Sequence, residues 1–213
     1  MPTQAMKHPL FDKLGSKRFI LASTSPRRIE ILTQMGIQNI NVVPSNFEEN
    51  LDKANYTPKE YVRNTALGKA RAVYDRLKAN NEHENTVIVS ADTVIELEGK
   101  IYEKPRNAEE QLINLKKFRD SVSPQHVLSG VIVIVDGVEF THVEDTSIVF
   151  DPEASDELLE AYVGTGEGLD VAAGYRVQSL GALLMKRIEG DYFNVVGLPF
   201  RGTFVLLQKA LSV

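Results

Sequence analysis

The 213-residue chain contains no cysteine. Disulfides, thiolate catalysis and zinc–thiolate sites are therefore excluded, in agreement with the cytoplasmic location that we expect. A basic excess is missing too, because 24 Lys and Arg against 29 Asp and Glu leave a formal net charge of −5. Non-specific nucleic-acid binding needs a basic footprint. We therefore expect no nucleic-acid partner, and any phosphate ligand would need a local basic pocket.

Long apolar segments, internal repeats and low-complexity tracts are also absent. The longest apolar run, 131–135, is strand-sized, whereas a bilayer-spanning helix needs about 20 apolar residues. Residues 1–17 mix prolines and charges, so we expect neither a secretory signal nor a membrane partner. The interpretation is a loose N-terminal leader over residues 1–17 and a single domain over residues 18–213.

The common nucleotide and metal motifs are missing as well. Gly68-Lys69-Ala70 lacks the upstream glycine and the Ser or Thr of a P-loop. The glycines of 164–168 have neither the spacing nor the preceding strand of a dinucleotide fingerprint. The four histidines show no ligand spacing, so zinc is not expected. A nucleotide would have to be held by another architecture.

Helical and strand-like patterns alternate along the chain, and Asp136-Gly137 between two long strand-like runs predicts a hairpin. This alternation predicts an α/β fold with a mixed sheet and flanking helices. The predicted helices cover 26–35, 57–77, 107–118, 151–163 and 199–211. The predicted strands cover 18–22, 41–43, 86–89, 127–135, 138–150 and 182–188, with a further extended piece at 94–97 after a break.

The run 23–28, Ser-Thr-Ser-Pro-Arg-Arg, follows a predicted strand and opens a predicted helix. Ser25 suits the N-cap and Pro26 the first helical position, which places Arg27 and Arg28 in the first turn. Two cations are unfavourable there because the helix dipole is positive at that end. A bound anion would turn this repulsion into attraction, so the run predicts a phosphate site. The alternative is two solvated arginines beginning an ordinary helix.

Asp92 follows the predicted strand 86–89, as the run 23–28 follows 18–22. In open α/β sheets ligands bind beyond the carboxyl ends of the strands, so both segments are candidates for one cleft. Glu48 and Glu49 lie in an irregular stretch, and with Asp92 they could form an all-oxygen site for Mg²⁺ or Mn²⁺. The alternative, if each residue is considered alone, is that Asp92 is an ordinary turn residue and that Glu48 and Glu49 are solvated carboxylates.

Two lysines complete the set of candidate residues. Lys69 lies at the flank of the apolar stripe of the 57–77 helix, and Lys104 lies in a predicted loop. Each alone is an ordinary solvated or snorkelling lysine. Together with the arginines and carboxylates they form a combination typical of phosphate chemistry, in which cations neutralise phosphate oxygens while carboxylates bind metal and activate water.

In order along the chain, several segments resemble motifs of the Maf family of nucleoside triphosphate pyrophosphatases. The matching segments are LASTSPRR at 21–28, EE at 48–49, ALGKA at 66–70, ADTV at 91–94, KP at 104–105, HVLSG at 126–130 and GDYFNVVGLP at 190–199. Two departures stand out. Val171 occupies the place of a family lysine, which leaves the rate and the nucleotide preference open, and Glu48 replaces an aspartate.

The resemblance implies a mixed, twisted α/β sheet with flanking helices, two lobes around a central cleft and a homodimer. It also implies metal-dependent hydrolysis of a nucleoside triphosphate between the α- and β-phosphates, which yields a monophosphate and pyrophosphate. The divalent cation would be Mg²⁺ or Mn²⁺.

Site residues follow by position from the same resemblance. Ser23, Arg27, Lys69 and Lys104 would hold the triphosphate. Glu49 and Asp92 would bind the metal, with Asp92 activating water, so that the catalytic set comprises Asp92, Glu49, Lys69 and Lys104. Arg28, Thr93 and Gln178 resemble the base-selecting residues of the branch that acts on dTTP, UTP and modified pyrimidine nucleotides.

Two other functions stay open at the level of the sequence. A nucleotide-sensing regulatory protein with little catalysis would use the same pocket, although it would not need a water-activating carboxylate such as Asp92. A phosphatase for small phosphate esters would release orthophosphate and no pyrophosphate. The physiological nucleotide, standard or modified, is not determined.

Overall fold

The computed structural model describes residues 6–213, and the first five residues of the expected leader lie outside the described part. Its helices are Pro9–Gly15 (α1), Pro26–Met35 (α2), Pro58–Ala79 (α3), Ala108–Asp120 (α4), Asp156–Gly164 (α5), Tyr192–Val196 (α6) and Phe200–Ala210 (α7). Its strands are Arg18–Leu21 (β1), Asn41–Val42 (β2), Thr86–Leu97 (β3), Lys100–Tyr102 (β4), Gln125–Val135 (β5), Val138–Phe150 (β6) and Met185–Glu189 (β7).

One mixed sheet connects these strands in the order β2-β1-β3-β5-β6-β7, with β4 paired to the end of β3. β1 is parallel to β2 and to β3, and the remaining pairs are antiparallel. Leu21 pairs with Val89, so β3 continues well past the end of β1. The mixed α/β architecture predicted from the sequence is confirmed.

Strand alternation sends neighbouring residues of β1 and β3 to opposite faces of the sheet. Phe19 and Val87 pack on one face with α1, α2 and α7, whereas Ile20 and Ile88 pack on the other face against α3. The apolar stripe of α3 is long because this helix has 22 residues and opens with a complete capping box between Thr57 and Glu60. Helices therefore cover both faces of the parallel part of the sheet.

A separate apolar cluster covers the far ends of the long strands. Leu97 of β3, Val127 of β5 and Ile148 of β6 pack there with residues of α4 and α5. Phe118 of α4 contributes edge-on aromatic contacts to Tyr102, Phe150 and Tyr175. The far ends of the long strands therefore have an apolar core of their own.

Several local predictions are confirmed. Asp136 and Gly137 both have positive φ and join β5 to β6 in register, as a tight hairpin requires. Ser25, Thr57 and Asn107 are the N-caps of their helices.

Four boundaries are corrected. The segment Pro9–Gly15, expected within a loose leader, is a helix whose buried Leu10 and Leu14 join the core. α5 begins at Asp156, not at 151, because Ser155 provides the cap. Leu180–Leu184 is a 3₁₀ helix, so β7 begins only at Met185. β3 runs unbroken, because its residues 87–96 all pair with β5.

No helix within residues 6–213 combines the length and the apolar composition that a membrane crossing needs.

Candidate active site

A polar cleft of about 720 Å³ opens at the carboxyl end of β1. Seven of the nine site residues predicted from the sequence line it: Ser23, Arg27, Arg28, Glu49, Lys69, Lys104 and Gln178. The other two, Asp92 and Thr93, lie directly behind this lining, in contact with Lys69 and Arg28 respectively. Residues spread over more than 150 positions of the chain therefore meet in one place.

At the base of the cleft, one ammonium group contacts two carboxylates. Lys69 Nζ lies 2.8 Å from Asp92 Oδ1 and 2.9 Å from Glu49 Oε1. The side chains of Lys69 and Asp92 are only 9% and 10% exposed, whereas that of Glu49 is 54% exposed. A charged pair removed from water needs its partner, because an unpaired buried charge is strongly unfavourable. Lys69 therefore holds the buried Asp92 carboxylate in place, while the more exposed Glu49 carboxylate lines the cleft.

The position of Asp92 follows from strand periodicity. Ile88, Ser90 and Asp92 share the face of β3 that packs on α3. Ser90 Oγ donates to the carbonyl of Ala66, and Lys69 lies about one helical turn further along α3. The expectation that Asp92 lies past the end of its strand is wrong, because it pairs with Gly130 in the middle of β3. It still lies beyond the end of β1, because Leu21 pairs with Val89.

Gly130 lets α3 approach the sheet at this point. A Cβ atom on Gly130 would lie 2.6 Å from the carbonyl oxygen of Val62 and 2.9 Å from Arg63 Cα. Both are backbone atoms of α3, so a larger residue would push the helix away from β5. Because Gly130 pairs with Asp92, this close approach also sets the distance between Asp92 and Lys69.

The N-terminus of α2 forms another part of the cleft lining. Its N-cap, Ser25, makes no side-chain capping bond among the described residues, so the first-turn N–H groups stay available to an anion. Ser23 Oγ accepts from the N–H of Ser25 at 3.3 Å. The partly exposed Arg27 lies in this turn and lines the cleft. The predicted helix start at Ser25 and Pro26 is confirmed, and phosphate binding by residues 23–28 stays a prediction.

Arg28 also lines the cleft, and three segments of the chain hold its guanidinium. Its Nε donates to the carbonyl of Gly197 at 3.1 Å, and its NH1 and NH2 donate to Ser23 Oγ at 3.0 Å and Thr93 Oγ1 at 3.4 Å. Burial lowers the pKa of the guanidinium, and the charges of Asp92 and Glu49 partly oppose this effect.

Sequence reasoning did not find the part played by Gly197. The motif at 190–199 caps α6 through Asp191, whose Oδ1 accepts from the N–H of Phe193 at 2.8 Å. Asn194 then ties this short helix to β5 by donating to the carbonyl of Val127 at 2.8 Å. The segment delivers the Gly197 carbonyl to Arg28, a backbone role that no side-chain pattern indicates.

Asp170 and Arg176, which form another wall of the cleft, were also not predicted as site residues. Arg176 NH2 contacts both carboxylate oxygens of Asp170, at 2.6 and 2.7 Å. This bond, with a smaller contribution from the nearby charge of Arg27, lowers the pKa of Asp170. Val171, which the resemblance places at a family lysine, is buried.

A divalent cation would find oxygen donors but no complete cage here. Among the described residues no group of three or more His, Asp or Glu side chains is arranged to hold a metal. Glu49 and Asp92 offer carboxylate oxygens on either side of Lys69. This set fits Mg²⁺ or Mn²⁺ as these ions are bound with substrate phosphates, through one or two carboxylates plus phosphate and water oxygens.

The sheet order, the helix N-terminus at the end of β1 and the mixed-charge cleft together define an α/β protein with a site for a phosphorylated ligand. A family model described as "Maf-like protein" matches residues 18–210, and the chain belongs to this family.

Relatives of the chain cover nearly all of it. It is 47% identical over 209 residues to a dTTP/UTP pyrophosphatase of Schizosaccharomyces pombe, a match covering 94% of this chain and 86% of the relative. It is 42% identical over 201 residues to a dTTP/UTP pyrophosphatase of Saccharomyces cerevisiae, covering 87% of each chain. A dTTP/UTP pyrophosphatase of Caldicellulosiruptor saccharolyticus is 40% identical over 194 residues, covering 91% of this chain and 94% of the relative.

Proposed function

We propose that this protein hydrolyses nucleoside triphosphates, with dTTP and UTP as substrates, to a nucleoside monophosphate and pyrophosphate. The observation that carries the proposal is the contact of Lys69 with Asp92 and Glu49 at the base of a cleft rich in cations. The relatives named dTTP/UTP pyrophosphatases support the choice of substrate.

Binding of the triphosphate is assigned to the α2 end of the cleft. Ser23 and the free first-turn N–H groups would donate to phosphate oxygens, and Arg27 and Lys104 would neutralise their charge. Lys104 is exposed and lines the cleft, so it is free to approach the ligand. As the α–β bond breaks, negative charge accumulates on the departing pyrophosphate, and these cations would stabilise it.

Asp92 is assigned the water-activating role. A water oxygen would attack the α-phosphorus in line with the bond to the bridging oxygen, while Asp92 takes a proton from that water. The P–O bond between the α- and β-phosphates then breaks, and the bridging oxygen leaves with pyrophosphate. Lys69 would keep the Asp92 carboxylate pointed at the water through its 2.8 Å contact.

Glu49 and Asp92 would hold the divalent cation, Mg²⁺ or Mn²⁺. When bound, such an ion neutralises phosphate charge and polarises the reacting phosphorus.

Selection of the base is assigned to Arg28, Thr93 and Gln178. Arg28 and Thr93 are joined by a hydrogen bond, and Gln178 is exposed in the cleft lining. A side-chain amide with both donor and acceptor groups suits the edge of a pyrimidine ring. The physiological substrate would then be a standard pyrimidine triphosphate or a modified one.

A regulatory binding protein is the less favoured function, because phosphate binding alone does not need a buried carboxylate such as Asp92 beside the phosphates. We also retain as predictions a homodimer, a cytoplasmic location and the absence of nucleic-acid and membrane partners.

The test is a panel of nucleoside triphosphates incubated with purified protein and Mg²⁺ or Mn²⁺, with monophosphate, pyrophosphate and orthophosphate measured separately. We expect monophosphate and pyrophosphate in equal amounts from dTTP and UTP. Orthophosphate as the primary product would indicate a phosphatase instead. Binding without turnover for every nucleotide would indicate the sensing function.

A further inference from the structure

Glu49 reaches Lys69 from a segment with few attachments to the rest of the protein. Within the described residues, the hydrogen bonds of 45–50 stay inside the segment, as between Phe47 N–H and Ser45 Oγ at 3.4 Å. The ion pair between Glu49 and Lys69 is the exception. Glu49 is itself more than half exposed, although Lys69 is only 9% exposed, so solvent screening on the Glu49 side limits what this ion pair contributes to holding the loop. On either side of the segment, the Pro44 carbonyl accepts from Arg76 NH2 of α3 at 2.6 Å and Leu51 packs against Tyr61 and Val62. Between these two anchors there is one further attachment to α3.

That attachment is an aromatic ring seated on a glycine. Gly68 lies in the interior of α3, and a Cβ atom there would lie 2.4 Å from both Cε2 and Cζ of Phe47 and 2.9 Å from Cε1. Real Cβ atoms do not come so close, so the ring occupies the space that any other residue at position 68 would fill. Glycine in a helix interior is unfavourable relative to alanine, which makes its presence in the middle of α3 informative.

Both ends of this contact lie beside site residues. Gly68 directly precedes Lys69, and Phe47 is two positions before Glu49. A displacement of the ring from α3 therefore moves the Glu49 carboxylate relative to the Lys69 ammonium that it contacts at 2.9 Å.

We propose that Phe47, seated against Gly68, is a positioning residue that sets where the Glu49 carboxylate meets Lys69 in the cleft. Its effect on turnover rests on the proposed function, whereas its effect on the loop does not. The proposal gives the unfavourable helix glycine a reason, because the space above it is used to place a charged group.

The kinetic test uses Gly68→Ala, with Gly15→Ala as the matched control because nothing lies within 4 Å of a Cβ at Gly15. We expect Gly68→Ala to lower kcat/KM for dTTP by about 10-fold or more, since misplacing a site group by about 1 Å can cost far more. Its Tm should not fall, because alanine favours the helix. The Gly15→Ala variant should stay within about twofold of the wild type.

A double variant distinguishes misplacement of Glu49 from a general disturbance of the fold. Phe47→Leu shortens the side chain, so in the Gly68→Ala background it should restore much of the lost kcat/KM, and the two losses should not add. Unchanged kcat/KM in Gly68→Ala, or additive losses in the double variant, would overturn the proposal. If Gly68→Ala does not fold, Phe47→Ala is tested in its place. We expect this variant to have a lower kcat/KM at an unchanged Tm. An unchanged kcat/KM would overturn the proposal.

A readout without turnover keeps this test independent of the proposed function. Because the chain has no cysteine, spin labels can be attached at Glu48→Cys and Asp75→Cys alone. Their distance distribution, measured by pulsed electron resonance with Gly or Ala at position 68, should shift or broaden with Ala. Identical distributions would show that the ring does not hold the loop, even if the enzyme is active. A shift in a protein that hydrolyses no nucleotide would keep the inference and reject the function.

Discussion

Lys69 on α3 donates to Asp92 on β3 across 2.8 Å, and both side chains are about nine-tenths buried. The contact joins the helix layer to the sheet at the base of the cleft. It exists because Asp92 shares the α3 face of β3 with Ile88 and Ser90. A structural ion pair and the proposed catalytic carboxylate are therefore the same feature of the molecule.

Replacement of Asp92 by asparagine should remove the proton acceptor and keep the shape. We expect Asp92→Asn to lower kcat for dTTP by at least ~10²-fold, the low end for a lost general base. The measurement is the rate of pyrophosphate release at saturating nucleotide. Asp136→Asn, an exposed hairpin carboxylate, is the matched control and should leave kcat unchanged. Near-normal turnover in folded Asp92→Asn would remove this residue from the role.

Replacement of Lys69 tests how much its ion pair with Asp92 contributes to stability. Lys69→Met would leave the Asp92 carboxylate buried without its ammonium, so the free energy of unfolding should fall by about 3 kcal/mol. Lys59 lies on the same helix as Lys69 and pairs with Asp145 of β6 near the surface, so Lys59→Met should cost less than about 1 kcal/mol. Urea unfolding followed by circular dichroism measures both. Equal losses in the two variants would contradict the idea of a buried pair.

The proposed base-selecting residue Gln178 can be tested by the ranking of substrates. Gln178→Ala removes an amide from the cleft wall, so the preference for dTTP and UTP over purine triphosphates should decrease. The measurement is kcat/KM for each nucleotide of the panel. Gln208→Ala, whose amide lies beside His8 on another part of the surface, should keep the wild-type ranking. An unchanged ranking in Gln178→Ala would remove the assignment.

Gly130 should tolerate no side chain. The Cβ of Gly130→Ala would meet backbone atoms of α3, so the helix would have to move away from β5 and Lys69 from Asp92. We expect a loss of about 2 kcal/mol in the free energy of unfolding, as for overpacking in other cores, together with reduced turnover. Gly164→Ala, where nothing lies within 4 Å, is the control for thermal and urea unfolding. Wild-type stability in Gly130→Ala would show that the contact is loose.

Local rules predicted most helix starts and the long hairpin because caps and turn residues act over a few positions. Thr57 with Pro58, Asn107 and Asp136-Gly137 each determine their own backbone. The same rules missed the helix Pro9–Gly15, whose Leu10 and Leu14 become buried only when α1 meets the rest of the core. They also placed a break in β3, because Ser90, Asp92 and Thr93 are residues that favour turns. In the structure this segment pairs with Gly130 and its neighbours on β5 and stays extended.

The sequence alone determined which chemistry is available to this protein. The chain has no cysteine and no cluster of histidines, so its available functional groups are carboxylate and hydroxyl oxygens and the cations of Lys and Arg. These groups lie in motifs that follow one another in the same order as in one family. Only the tertiary structure decided which of these charges meet. Sheet register places Asp92 over Lys69, a backbone carbonyl at Gly197 holds Arg28, and the ring of Phe47 lies on Gly68. These contacts join residues far apart in the chain, and no local pattern encodes the distance between them.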